Sequence, residues 1–287
     1  MEYKRINISD WKKIKDEGSS EVYFHNVDKS LMLILFNDKK ITSRIAFNEL
    51  NYSQHADKCG IPTPIGRDVV IANGKIGIIY QRFNDKVSYT NLFKTNRGNL
   101  IQVAEMFTKQ LKELHQKKCD IKFFPNIKDV IIHGINENKS LKDEIKHKLI
   151  KFVFELGDEE TCVHGLPNTE SIFISEGKSY WINLIGFSYG NPWYDIGGIY
   201  FTYKSLLGRF LLRKYPHINI FRLNNFWKQF VYFYTGDSSE DNYKSFTLKA
   251  KKVSILYAIY IMNVEHYSGF KAFVINLLIK NLLRSFK

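Results

Sequence analysis

Residues 163–196, VHGLPNTESIFISEGKSYWINLIGFSYGNPWYDI, constrain this chain more than any other stretch. They read as a loop opened by His164 and Gly165, a hairpin of two short runs (Ile172–Ile174 and Tyr180–Ile182), and a second loop carrying Gly190, Pro192 and Asp195. The Glu176-Gly177 pair between the two runs is the signature of a two-residue hairpin turn.

The flanking sequence supplies a setting for this block. The segment EGSSEVYFHNVDKSLMLILFNDKK reads as a loop between two strands, followed by a third strand at residues 31–36. Residues 43–58 read as a helix with Glu49 in its middle and Gly60 as its stop. IGIIYQRFNDK then passes from apolar strand to polar loop, as a hinge between two lobes should. Beyond it, apolar spacing predicts helices at 98–117, 140–156, 197–214, 222–235, 243–267 and 268–286, with the hairpin at 172–182 the main strand element. The expected organisation is α+β: an N-terminal lobe over residues 1–83, β-rich with one helix, and a mainly helical lobe over residues 84–287. With 287 residues, 44% of them hydrophobic, either one large or two small cores can be buried.

Together these strings resemble the aminoglycoside phosphotransferase-like kinases, which have a bilobal protein-kinase-like fold. The resemblance covers residues 10–235. It is strongest to a branch of small bacterial phosphotransferase-like proteins in which GSSEVY-, GIPTP- and FSYGNP-like strings occur together. That family carries H-G-D-x-x-x-x-N in a loop, a short hairpin, an I-D-x motif and then G-x-P-x-x-D. His164, Gly165, Gly190, Pro192 and Asp195 stand in the expected places here. In related kinases the His164 and Asp195 positions hold the loop in shape. The base position, however, is Leu166, the amide ligand position is Ser171, and the second Asp position is Asn183. The strand lysine that touches nucleotide phosphates falls at Ile34, and residues 31–36 contain no Lys, so a one-residue slip does not restore it. Lys29 and Lys39 lie outside the run. Glu49, the helix partner of that lysine, is therefore expected to have lost its cation.

The chemistry of those positions decides what the resemblance implies. Phosphoryl transfer is catalysed by positioning and by electrostatic stabilisation of charge on the phosphates. Leu166 has no lone pair to accept a hydroxyl proton, a service worth ~10²–10⁴-fold in rate. Mg²⁺ favours carboxylate oxygens; Asn183 offers an uncharged carbonyl and Ser171 a short hydroxyl. The resemblance thus implies a pseudokinase with no catalytic residues, no metal and no required cofactor, holding ATP weakly and without Mg²⁺ if at all. The apolar slot expected for a purine is lined by Val22, Ile79, Tyr80, Phe83, Phe173 and Ile182. Gly18, Ser19 and Ser20 offer a weak phosphate-cradling turn, which an ordinary hairpin explains as well. The expected role is to bind a small molecule or protein partner whose identity the sequence does not name. The alternative is an active ATP-dependent phosphotransferase of the aminoglycoside or choline kinase type, with its groups relocated to Asp195, Asp158, Glu159 and Glu160. A third reading places a different transferase chemistry on the same fold.

Composition narrows the rest. Cys59, Cys119 and Cys162 cannot all pair and show no metal-ligand spacing, which suits a reducing cytoplasm. Cys162 with His164 makes only two ligands, short of what zinc needs, and His115 in LKELHQKK reads as a core or interface histidine. The first residues lack the apolar core of a signal peptide, and the longest apolar stretch, VSILYAIYIMNV, is too short to span a bilayer. The net charge of +13 suits anionic ligands or acidic partners. Basic amphipathic runs at 204–215 and 270–287 suit peripheral membrane contact, or core packing with a solvated basic rim, which is the reading preferred here. Lysines spread along the chain, with no recognised module, argue against sequence-specific nucleic-acid binding.

Overall fold

The structure, a computed structural model, describes residues 3–16, 20–37, 41–95, 100–205, 220–264, 275–277 and 279. In chain order its elements are β1 (Lys4–Arg5), β2 (Trp11–Asp16), β3 (Ser20–His25), β4 (Leu31–Phe36), α1 (Ser43–Lys58), β5 (Gly66–Ala72), β6 (Lys75–Gln81), β7 (Val87–Ser88), α2 (Tyr89–Thr95) and α3 (Leu100–His115). They continue as α4 (Ile127–Glu137), α5 (Asp143–Glu155), β8 (Cys162–Val163), β9 (Ile172–Ser175), β10 (Lys178–Trp181), β11 (Ser188–Tyr189), α6 (Trp193–Tyr203), α7 (Ile220–Thr235) and α8 (Glu240–Val264). Packing divides the chain into two units, residues 1–87 with 172–185, and residues 88–171 with 186–287. The hairpin, which lies in the second lobe by sequence order, is grouped by its contacts with the first unit.

The N-terminal unit is built on a six-stranded sheet ordered β1-β5-β6-β4-β3-β2. Only the β1–β5 pair is parallel. The run LMLILF is apolar throughout because β4 buries both of its faces. Leu33 and Leu35 pack with Trp11, Tyr23, Val70, Ala72 and Ile79 on one side. Met32, Ile34 and Phe36 pack on the other side with Ala46 and Leu50 of α1, Val69, Ile78 and Tyr80. Strand alternation makes this partition unavoidable. The Thr42 hydroxyl accepts from the Ile45 amide at the start of α1. At its end Gly60 takes φ +74°, its amide donates to Asp57 O and the Ile61 amide to Ala56 O, a Schellman stop at the glycine expected to provide it. The outermost strand, β2, exposes Lys12, Lys13 and Lys15, which discourages a further strand from adding there.

The β9–β10 hairpin turns at Glu176 (φ +49°) and Gly177 (φ +74°), the two-residue geometry expected from its sequence. The Trp181 amide donates to Pro62 O at 2.8 Å, tying the hairpin to the segment that leaves α1.

The C-terminal unit is mainly helical. In α3 the buried residues Leu100, Val103, Ala104, Phe107, Leu111 and Leu114 recur at three- and four-residue intervals. They face the rings of α7, with Phe107 5.9 Å from Phe226 and 6.4 Å from Phe230 between centroids. Helix α6 lies close against α8 because it carries Gly198, where a Cβ would meet the Tyr257 ring at 2.5 Å. Helix α4 is absent from the sequence expectations. Its residues IKDVIIHGINE hold several β-branched side chains and a glycine, so intrinsic preference for a helix is low and burial of Ile127, Ile131 and Ile135 decides the conformation. The helix expected at 197–214 begins earlier, at Trp193, and residues 206–219 fall outside the described part, as does most of the basic run at 270–287. Among the described residues no helix is long and apolar enough to cross a membrane.

Candidate functional site

In the N-terminal unit, the register of β4 is set on both sides. Ile34 lies opposite Val22 of β3 and Ile78 of β6, while Met32 lies opposite Phe24 and Tyr80. Directly opposed residues share a face, so Val22, Ile34, Ile78, Phe24, Met32 and Tyr80 form one surface, the one that meets α1. Every β4 side chain on that surface is apolar. Glu49 of α1 has no ion-pair partner among the described residues. Desolvation raises its carboxyl from 4.5 to about 7, and its charge in turn helps to hold the nearby Tyr80 hydroxyl above the ordinary range, after burial itself. Two lysines of the sheet are engaged on its other face, and the Arg82 guanidinium lies 3.8 Å from the Phe24 ring. Lys13 and Lys75 reach Glu21 at 2.8 and 3.2 Å, and Glu21 lies opposite Leu35, on the face turned away from α1. Lys29 donates to Asn26 O.

The expected purine slot needs correction at two places. Ile79 pairs with Leu33 and packs on the opposite face from Val22 and Tyr80, because neighbours along a strand alternate. Phe173 is fully buried and packs against Phe83 at 5.1 Å and Tyr180 at 5.4 Å, with the Lys86 ammonium 4.6 Å above its ring. Ile182 is half-buried. Gly18 and Ser19 lie outside the described residues, and Ser20 is simply the first residue of β3. Asn183 is exposed and adopts φ +63°, a left-handed conformation that asparagine tolerates.

In the C-terminal unit, the loop after β8 hangs on Asp195. This carboxylate is completely buried. It accepts from the His164 amide at 2.7 Å, the Gly165 amide at 2.8 Å and His115 Nε2 at 3.0 Å. A carboxylate only accepts, so Nε2 donates to Asp195, while Nδ1 on the other side of the ring meets the Tyr234 hydroxyl, also at 3.0 Å. Burial, reinforced by the Asp195 and Glu159 charges, holds that phenol protonated well above its ordinary range. One side chain thus ties α3, α6 and α7 to two consecutive loop amides. Asp195 sits in the first turn of α6 rather than in the loop expected from sequence. Asn191 starts the helix there by accepting from the Trp193 amide at 3.0 Å.

The rest of the loop is closed on itself. Gly165 has φ +78°, and a Cβ there would lie 2.2 Å from Gly186 O. The Leu166 amide donates to His164 Nδ1 at 3.3 Å, and the Leu166 side chain, 8% exposed, belongs to the apolar cluster that includes Ile127, Tyr194, Tyr257 and Tyr260. Its carbonyl accepts from Asn168 Nδ2 at 3.2 Å and from the Ser171 hydroxyl at 2.9 Å. Tyr203 accepts from the Thr169 amide and donates to the Thr169 hydroxyl, which also meets Thr90 at 2.8 Å. Every polar group of this loop that sequence reasoning singled out is engaged in holding the loop.

Solved structures share this architecture. A choline/ethanolamine kinase family protein from Mesorhizobium loti aligns with a TM-score of 0.54 at 15% identity, over 95% of this chain and 87% of its own. An ethanolamine kinase from Plasmodium vivax gives 0.55 at 13% identity, over 95% and 81%. The ADP-bound aminoglycoside phosphotransferase APH(2'')-Ib gives 0.53 at 14% identity, over 95% and 91%. The chain has a protein-kinase-like fold. No protein-family profile matches the sequence, and no curated relative does either.

The His164 amide meets the Asp195 carboxylate, and Leu166 and Ser171 share one loop. Of the carboxylates suggested for a relocated mechanism, Asp195, Asp158 and Glu159 are held by structural partners, and Glu160 is exposed. Asp158 accepts from Asn126 Nδ2 at 3.1 Å and pairs with Lys128, which lowers its carboxyl below the ordinary range against the opposing effect of burial. Glu159 accepts from Asn191 Nδ2 at 2.9 Å. Two groups escaped sequence reasoning. The first is the Thr90–Thr169–Tyr203 network, for which no motif exists. The second is the pairing of Cys119 with Cys162, whose sulfurs lie within 4.8 Å of each other. Their separation in the chain hid it. The antiparallel bridge between Lys118 and Thr161 creates it.

Proposed function

We propose that this protein is a catalytically degenerate kinase-fold module that binds a small ligand or a partner without transferring phosphate. The observation that carries the reading is Leu166, which stands at the base position with its side chain sealed in an apolar core. Burial of that leucine is stabilising by about 1.5–3 kcal/mol, so the loop is built around a residue that cannot accept a proton. Three further features support the reading. Ser171 spends its hydroxyl on the Leu166 carbonyl. The α1-facing side of β4 carries no cation for phosphate oxygens. Asn183 offers no charge to a metal. These residues do not fit a magnesium nucleotide, since neither a carboxylate pair for the ion nor an ammonium for the phosphates is provided at the positions the fold uses. The fully buried Phe173 likewise leaves little room for a base at its ring. With a net charge of +13, an anionic ligand or acidic partner is favoured electrostatically.

Titration calorimetry of the full chain with ATP, with and without Mg²⁺, tests the binding half. Labelled ATP offered with sugars, amino alcohols and aminoglycosides tests the transfer half. The expected result is no turnover, with nucleotide heat either absent or weak and indifferent to Mg²⁺. Transfer that requires Mg²⁺ and disappears on substitution of Asp158, Glu159 or Glu160 would overturn it in favour of a relocated phosphotransferase.

A further inference from the structure

We propose that the Arg82 guanidinium anchors a binding site, within the N-terminal unit, for a small organic oxyanion: a carboxylate or phosphate monoester carried on an apolar body. The backbone fixes where this side chain goes. The Arg82 amide donates to Ser30 O at 2.7 Å, extending the β4–β6 ladder one residue past Gln81. Strand alternation returns Arg82 to the face that Tyr80 occupies, and Tyr80 lies opposite Met32, which in turn lies opposite Phe24. There the guanidinium stands 3.8 Å from the centre of the Phe24 ring. Stacking on an aromatic face is favourable for arginine and holds its plane in one orientation. It uses only the flat side of the group, whereas the five N–H donors lie in the plane. Among the described residues the side chain makes no ion pair, and its Nε is buried without a hydrogen-bond partner. Asp28, the acid of the turn before β4, is occupied, since its Oδ1 accepts from the Ser30 amide at 2.9 Å and the Ser30 hydroxyl at 2.7 Å. Buried donors are almost always satisfied, so an oriented fork that the chain leaves unused points to an acceptor from outside it.

The surroundings select the occupant. On one face of β4, Leu33 and Leu35 are fully buried. On the other, Val22, Phe24, Met32 and Ile34 are only half-buried, so apolar area stays open beside the cation. A guanidinium fork takes two oxygens of a carboxylate or phosphate through parallel hydrogen bonds. An apolar remainder on the same molecule then covers hydrophobic surface that water or a bare inorganic ion would leave wet. A cationic ligand is repelled by Arg82, and the net charge of +13 adds to the attraction for an anion. Because the Phe24 ring already orients the guanidinium, little side-chain freedom is lost on binding. The inference rests on the proposed ligand-binding role and names the charged end of the ligand, and it holds whether or not the chain also transfers phosphate.

The test is a calorimetric titration of the full chain with benzoate and with phenyl phosphate, using benzamide as the uncharged counterpart. One equivalent of at least one anion is expected to bind saturably while benzamide does not, and the tighter of the two tells a carboxylate site from a phosphate site. Arg82→Gln should weaken that binding roughly 10–100-fold. Arg82→Lys keeps the charge without the fork and should fall between Arg82→Gln and the parent, and Phe24→Leu, which removes the stack, should also bind more weakly. Arg67→Gln, at an exposed arginine of β5, should leave the affinity unchanged. Circular dichroism establishes that each variant is folded. No saturable binding of either anion, or an unchanged affinity in folded Arg82→Gln, would overturn the proposal. Equal weakening by Arg82→Gln and Arg67→Gln would mark diffuse attraction to a basic chain and overturn it as well. Labelled-ATP transfer measured on the same preparation reads the other proposal separately, since turnover there refutes the non-catalytic role and leaves the oxyanion site standing.

Discussion

Replacing Glu49 by glutamine removes a carboxyl whose surroundings oppose its ionisation. Desolvation lifts its pKa from 4.5 to about 7, and no cation among the described residues offsets that effect. At 1.36 kcal/mol per pH unit, the difference corresponds to at most about 3 kcal/mol, an upper figure because the side chain is only half-buried. The sign follows from proton linkage. The folded chain binds this proton more tightly than the unfolded chain, so the contribution to stability is complete below about pH 4.5. It is lost progressively as pH rises through 7. The neutral amide of the E49Q variant cannot ionise and escapes the loss. E49Q and the parent chain should therefore have similar stability near pH 4 and separate in favour of E49Q by up to about 3 kcal/mol near pH 8.5. Urea unfolding across that range at constant ionic strength measures the difference, with an unchanged denaturant slope as the check that the same transition is observed. Ile34→Lys, which puts an ammonium on the strand face that meets α1, should abolish or reverse the trend by stabilising the ionised form. A difference between E49Q and parent that stays flat with pH, or a less stable E49Q near pH 8.5, would refute the reasoning.

Three further outcomes follow from the loop. Asp195→Ala strips the acceptor from two buried amides and from His115, and should cost about 3–5 kcal/mol in denaturant unfolding, with Asp195→Asn falling between it and the parent. Leu166→Asp puts a carboxylate into an apolar cluster, so it should be less stable than Leu166→Ala at pH 7, itself down by about 2–5 kcal/mol. The gap should narrow at acidic pH as the carboxyl protonates, and a thermal scan at two pH values reads it. Gly165→Ala drives a Cβ onto Gly186 O at a positive φ and should lose about 3 kcal/mol or more, visible as a fall in melting temperature and refolding yield.

Much of the candidate site is legible in the sequence because its signals are residue identities at fixed intervals. Leu166, Ser171 and Asn183 stand at the positions the resemblance singles out before any coordinates are seen, and the Glu176-Gly177 turn and the Gly60 stop are local events that local chemistry dictates. The slot lining is less legible. Placing Ile79 beside Tyr80 ignores strand alternation, and including Phe173 ignores the Phe83 and Tyr180 rings that cover it. Asp195 reads as a loop residue because Gly190 and Pro192 precede it, whereas Asn191 starts a helix immediately afterwards.

Periodicity, turns and caps depend on neighbours a few residues away, so the amino-acid sequence alone determines the helix α1 with its stop and the hairpin, and it fixes which residue types stand at Ile34, Leu166, Ser171 and Asn183. The partners of the retained groups were decided only by tertiary structure. Asp195 gathers His115 and two loop amides, Ser171 turns its hydroxyl inward, desolvation raises the Glu49 carboxyl, and Cys119 comes near Cys162. Those relations join positions far apart in the chain, and burial strengthens each hydrogen bond and raises the cost of each unpaired charge, an effect no one-dimensional pattern encodes.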